Sequence, residues 1–139
     1  MSGADGCIFC AIASGQGSAQ IIDSDERTVA FLDINPATRG HALVIPRAHS
    51  RDLLEIGEED LAASIAAARR LARRMRETIK PDGVNVLNSC GRVAWQTVFH
   101  FHLHVVPRYE DDPLELPWRP TPGDSEEIAR VASELRGDA

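Results

Sequence analysis

Three histidines stand at every second position of one short stretch, His100, His102 and His104. Neutral imidazole is a nucleophile near pH 7, and its charged form is a cation that holds phosphate. On a strand, side chains two apart share one face at roughly 6.5–7 Å from each other. A central His102 in such a row would attack while its neighbours hold the substrate. The same three imidazoles could instead ligate a catalytic zinc. The plainest reading is a row of tolerated polar residues, but Thr, Lys or Glu would serve an ordinary exposed face as well. Gln96 and Thr97, just before the row, fit a substrate cradle. Near the N-terminus Cys7 and Cys10 have the spacing of half a tetrahedral zinc site, or are two buried thiols. No strand precedes the pair, so the setting of a thioredoxin-like redox motif is missing. Cys90 stands apart and reads as an ordinary loop cysteine.

These residues need elements to position them. Phe99, Phe101, Leu103 and Val105 alternate with the histidines, which predicts a strand over about 98–106 with its apolar face on the core. Residues 1–6 read as an irregular terminus and 8–14 as a short helix ended by Gly15. Residues 20–23 and 27–33 read as strands around a polar hairpin turn. A turn over 35–40 leads to a strand at 41–45, stopped by Pro46, in which His41 is read as structural. Leu61, Ile65, Ala68, Ala72, Met75 and Ile79 share one face of a helix over 58–80. Glu58, Glu59 and Asp60 suit its N-terminus, and Pro81 and Gly83 bound its end. Its five arginines, Arg69, Arg70, Arg73, Arg74 and Arg76, read as a solvated face, with phosphate binding as the lesser alternative. A fourth strand follows at 84–88. The proline-rich stretch 109–122 reads as an irregular arm, in which Trp118 serves as an anchor. Residues 124–136 predict a last helix with Ile128, Val131, Ala132 and Leu135 inward. The fold class is α+β: one domain over 1–139, with about five mostly antiparallel strands, one long helix and a C-terminal helix.

Composition bounds the function. The chain has 139 residues, 43% of them hydrophobic and 26% charged, which is ordinary for a globular domain. Its net charge of −6 argues against a broad nucleic-acid surface. No run approaches the roughly 18 apolar residues of a membrane span. The odd count of three cysteines argues against a disulfide framework, and the expected compartment is the cytoplasm.

Beyond its residue chemistry, the stretch His100-Phe101-His102-Leu103-His104-Val105-Val106 resembles the signature of the histidine triad (HIT) superfamily, alternating histidine and apolar residues. Residues 30–36 and 40–46, and Cys7-Ile8-Phe9-Cys10, resemble two further motifs of that superfamily in the same order. The resemblance covers about 7–108 and is closest to the Hint-like branch, with the Fhit-like branch a weaker match. It implies a HIT-like fold and a nucleotide hydrolase or transferase acting on the α-phosphate of nucleoside phosphoramidates or related conjugates. It places the covalent nucleotidyl intermediate on His102 and puts His104 on the phosphate. Asn88, Gln96 and Thr97 match residues that contact phosphate or leaving group, with Thr97 a candidate proton donor. Asp33 matches the acid that holds the ribose, and Ile34 and Phe9 help form the base pocket for a purine nucleotide. Structural zinc is implied at Cys7, Cys10, His49 and His100; without it, His100 orients His102. None of this chemistry requires another cofactor. The superfamily's usual homodimer pairs sheet edges with helix contacts. The chain departs from the family at Trp95, where Gly is usual; a Gly lets backbone approach the phosphate, whereas Trp narrows or covers the site. Dinucleoside polyphosphate hydrolysis, or nucleotide binding with little turnover, are the competing functions.

Overall fold

The computed structural model describes residues 5–138. The expected irregular terminus lies outside them except for Asp5 and Gly6, which form a turn. In chain order the elements are α1 (Ile8–Ala13), β1 (Ile21–Ser24), β2 (Thr28–Leu32), β3 (Ala42–Pro46), α2 (Glu58–Thr78), β4 (Gly83–Leu87), β5 (Leu103–Arg108) and α3 (Ser125–Arg136). The strands form one sheet in the order β1-β2-β3-β5-β4. Every neighbouring pair is antiparallel, as the α+β reading requires.

The sheet separates two layers. On one face Ala30, Ala42, Val44, Leu103 and Val105 pack with Phe101 against α2. On the other, Val29, Phe31, Leu43 and Ile45 pack with Phe9 of α1. Period-two alternation along β2 and β3 therefore feeds both cores. The α2 face is rotated from the expected stripe. Ser64, Ala67, Ala68, Leu71 and Met75 are buried, while Ile65 is half exposed. Small side chains at 64, 67 and 68 let the helix lie close on the sheet, and that proximity outweighs the hydrophobicity of Ile65.

Four further expectations fail. The strand expected over 98–106 begins only at Leu103, so His100 and His102 precede it and His104 alone lies on it. Residues 98–102 run instead beside the 46–50 segment, where Phe101 N–H donates to the Ser50 carbonyl at 2.7 Å. Phe99 is exposed rather than inward. Finally, α3 buries none of its side chains, and Trp118 is exposed rather than an anchor. Among the described residues, no helix is long and apolar enough to cross a membrane.

Candidate active site and metal cluster

Asp33 follows β2 and His41 precedes β3, and the two meet across the ladder, where Asp33 N–H donates to the His41 carbonyl at 3.0 Å. Gly40, with φ of 90°, turns the chain into His41, a conformation that favours glycine. On β5, His104 pairs with Leu43. Register thus gathers Asp33, His41 and His104 on the sheet face that carries α1. His102 joins them with its ring centroid 5.0 Å from that of His104. Phe9 and His102 meet in a T-shaped contact, with 5.1 Å between ring centroids.

These groups border a cavity of about 510 Å³ lined by Phe9, Ile12, Phe31, Asp33, Ile34, Leu43, Thr97, His102 and His104, among others. The walls are mostly apolar, with a few convergent polar groups, the pattern of a small-molecule site. Six of the expected site residues, Phe9, Asp33, Ile34, Thr97, His102 and His104, line it. Asn88, Gln96 and His100 do not. The Asn88 amide donates to the His102 carbonyl at 2.9 Å, so it fixes the backbone under the central histidine. Gln96 is buried with its amide committed to the loop: Oε1 accepts from Gly91 N–H, and Nε2 donates to the carbonyls of Arg51 and Val98. Trp95 is also absent from the lining.

Backbone groups set the protons of His102 and His41, and His41 sets that of His104. His102 Nδ1 faces the His100 carbonyl at 2.8 Å, so Nδ1 carries the proton and Nε2 keeps its lone pair. His41 Nδ1 accepts from Ala37 N–H at 3.0 Å, so its proton sits on Nε2, 2.9 Å from His104 Nδ1. His104 therefore accepts at Nδ1 and donates from Nε2. Asp33 Oδ2 lies 3.6 Å from His41 Nε2, while Oδ1 accepts from Asn35 N–H. Burial lowers the pKa of His41, His102 and His104; neighbouring His102 and His41 add to the effect at His104, which falls to about 4. All three are neutral near pH 7, as a nucleophile and a donor relay require.

His41 was legible only as structural from sequence. Its signal was its place opposite Asp33, which depends on strand register. Asp33, His41 and His104 also converge closely enough to suggest a metal site. The Ala37 N–H argues otherwise: it holds the His41 proton on Nε2, the atom that would have to bind the ion.

A second cluster fits a metal. Cys7, Cys10, His49 and His100 present ligand atoms that lie within 4.8 Å of one another. His100 Nδ1 is 3.4 Å from each cysteine Sγ, and His49 Nδ1 is 3.4 Å from Cys10 Sγ. Tetrahedral zinc with ordinary bond lengths would set sulfur and nitrogen about 3.5 Å apart. The fully buried His100 gives its Nε2 proton to the Pro46 carbonyl at 2.8 Å, leaving Nδ1 free for an ion. The imidazole of His100 thus faces the cysteines, and only its carbonyl serves His102. The arginine face of α2 is partly committed: Arg70 pairs with Asp23 and Asp25, at 2.9 and 3.0 Å.

A HIT domain model matches residues 14–111. The chain is 36% identical over 135 residues to protein hit of Bacillus subtilis, covering 95% of this chain and 93% of that one. It is 35% identical over 130 residues to adenosine 5'-monophosphoramidase hnt1 of Schizosaccharomyces pombe, covering 93% and 95%. A zinc-bound histidine triad family protein from Mycobacterium smegmatis superposes with a TM-score of 0.77 at 42% identity, covering 99% of this chain and 100% of that one. With the sheet order and the histidine register already described, these likenesses establish that the chain belongs to the histidine triad (HIT) superfamily.

Proposed function

We propose that the protein is a nucleotide hydrolase or transferase that cleaves nucleoside phosphoramidates or related conjugates at the α-phosphorus. The observation that carries this reading is the His102 tautomer: Nδ1–H is held by the His100 carbonyl at 2.8 Å, so Nε2 is a free nucleophile beside the cavity. The apolar end of the cavity, with Phe9 and Ile34, suits a purine base, and Asp33 suits the ribose hydroxyls.

In the first half-reaction the His102 Nε2 lone pair forms a bond to the α-phosphorus, and the phosphorus–nitrogen bond of the substrate breaks. The departing amine takes a proton through the Thr97 hydroxyl, which recovers one from solvent. Nucleotidyl-His102 carries positive charge on its ring, and the His100 carbonyl stabilises it through Nδ1–H. His104 Nε2–H donates to a phosphoryl oxygen as negative charge builds there. Water then attacks the phosphorus, the bond electrons return to Nε2, and the nucleoside monophosphate leaves as the water's second proton passes to solvent.

Zinc fits Cys7, Cys10, His49 and His100, where it would supply a structural cross-link between α1 and the histidine segment. Free thiols at Cys7, Cys10 and Cys90 suit a reducing cytoplasm. A homodimer is the proposed assembly.

The test compares AMP release from an adenosine phosphoramidate and a diadenosine polyphosphate by wild type and by His102→Ala. Phosphoramidate cleavage lost in the variant, with AMP binding kept, supports the reading. Preferred cleavage of the polyphosphate would favour the Fhit-like alternative. Binding of AMP without turnover of either substrate would make the protein a nucleotide binder.

A further inference from the structure

The α2 face of the sheet carries a cavity of its own. Leu71, Met75 and Ile79 fall at i, i+4 and i+8 along the last turns of α2 and its C-cap, so they form one apolar ridge. Leu32, at the end of β2, packs with that ridge, and together they floor a groove of about 350 Å³. Arg39 and Arg74 stand at its rim, both exposed. No acid lines it. A chain with a net charge of −6 has acids enough to neutralise surface arginines, and does so at Arg27, Arg70 and Arg108. Arg39 and Arg74 hold no ion pair among the described residues. Arg74 gives one N–H to the Ile22 carbonyl at 3.1 Å and keeps its other donors free. A guanidinium fork pairs with carboxylate or phosphate oxygens. An apolar floor with a cationic rim therefore selects an amphipathic anion, an apolar chain ending in a carboxylate or phosphate.

The groove shares a wall with the turn that holds His41. Gly40 lines it, and a Cβ on Gly40 would stand 2.6 Å from Ile79 Cδ1, so turn and ridge are in direct contact. His41 is the next residue, and its Nδ1 accepts from Ala37 N–H at the other end of the same turn. Two bonds anchor the turn from outside. The Thr38 hydroxyl donates to the Pro107 carbonyl at 2.6 Å, and the Tyr109 hydroxyl donates to the Arg39 carbonyl at 2.8 Å. A turn held in this way passes a push at Gly40 to the Ala37–His41 bond instead of absorbing it. Leu32 borders both this groove and the cavity beside His102.

We propose that the groove is a second ligand site, for an amphipathic anion whose head pairs with Arg39 and Arg74 and whose chain lies on Leu71, Met75 and Ile79, and that its occupation is transmitted through the 37–41 turn to His41 and His104. The inference goes beyond the hydrolase reading and needs no turnover for its test.

The full chain is titrated with octanoate and with octyl phosphate and followed by nuclear magnetic resonance. Either probe should shift the methyl signals of Leu71, Met75 and Ile79 along a saturable curve, and the tighter of the two names the head group. The ring nitrogens of His41 and His104 should move on the same curve, while those of His49, in the cysteine cluster, stay. Octanol, a chain without the charge, and acetate, a head without the chain, should each bind at least about tenfold more weakly. Arg39→Gln with Arg74→Gln should weaken octanoate by a similar factor. Thr78→Trp, at an exposed position of the lining, fills the groove with both arginines in place and should abolish binding. Amide spectra of both variants report that the body still folds. No saturable binding overturns the site. Octanol binding as tightly as octanoate overturns the anion, and binding untouched by both variants places the ligand elsewhere and overturns the groove. Saturable binding that leaves His41 and His104 unmoved overturns the transmission.

Discussion

His41 Nε2 lies 2.9 Å from His104 Nδ1, and the Ala37 N–H on the opposite side of the His41 ring decides which of the two donates. The His104 tautomer is thus written into a backbone turn between β2 and β3. His41 does not line the cavity, and in the proposed mechanism it acts through His104 as a positioning residue. His41→Ala frees His104 to carry its proton on either nitrogen, which weakens its donation to phosphate. Phosphoramidate cleavage should lose about 10–100-fold in kcat with little change in KM, on the scale of general acid–base and positioning effects. Nitrogen-15 spectra should show His104 protonated at Nε2 in wild type and mixed in the variant. His41→Gln, which keeps a donor, should recover part of kcat. An unchanged His104 tautomer in His41→Ala would sink the relay.

The buried histidines also make stability depend on pH. His104 takes up a proton near pH 6.5 in the unfolded chain but only at about pH 4 when folded, because burial opposes its charge. Between those values the unfolded state binds more protons, so unfolding free energy rises with pH across that window and is lost on acidification. His41 and His102 are shifted in the same direction and add to the slope. Urea denaturation from pH 4 to 7 should show this fall toward acid, and His104→Gln should flatten part of it. An equal slope in that variant would assign the effect to other groups.

Much of this was legible in the sequence because it depends on local period. The five strands, α2 and the apolar face of Phe101, Leu103 and Val105 all follow from alternation or helical spacing. The failures concern relationships between distant segments. His41 reads as one polar residue until register brings it opposite Asp33. His100 and His102 alternate as a strand would, yet the segment pairs with residues near Ser50 rather than joining the ladder. Gln96 carries the polarity of a ligand contact, but its three bonds to loop backbone are non-local. The amphipathic pattern of α3 is real, and what escaped prediction is that its stripe stays exposed among the described residues.

Zinc should be measurable directly. The Cys10 thiol is pushed up to about 11 by burial and by the neighbouring Cys7, so without a cation the cluster resists ionisation. A bound ion reverses that logic, because thiolate is the ligand form. Protein expressed with zinc should contain close to one ion per chain, and Cys10→Ser should lose most of it together with several degrees of Tm. The site joins α1 to the segment before β5, so chelation should lower stability more than it alters the cavity chemistry. Metal content below about 0.1 per chain would remove zinc from the account.

Trp95 stands where the family usually has glycine, and the backbone there still takes a glycine conformation, with φ of 77° and ψ of 19°. Its N–H bonds to the Arg92 carbonyl at 3.0 Å, and Gln96 N–H bonds to the Gly91 carbonyl at 3.1 Å, so the surrounding loop imposes the turn. Trp95 is 71% exposed and recovers little by burial. A left-handed conformation costs a residue with a Cβ roughly 1–2 kcal/mol, while glycine adds up to about 1 kcal/mol of unfolded-state entropy. Relief of strain is the larger effect, so Trp95→Gly should stabilise the fold by about 0.5–1 kcal/mol, or about 2–3 °C in Tm for a chain this long. Because Trp95 is absent from the cavity lining, KM for a small phosphoramidate should stay within about twofold of wild type. Chemical denaturation and steady-state kinetics on the same preparation decide both points. A less stable variant would show that the indole makes a compensating contact, and a large change in KM would bring Trp95 back to the substrate.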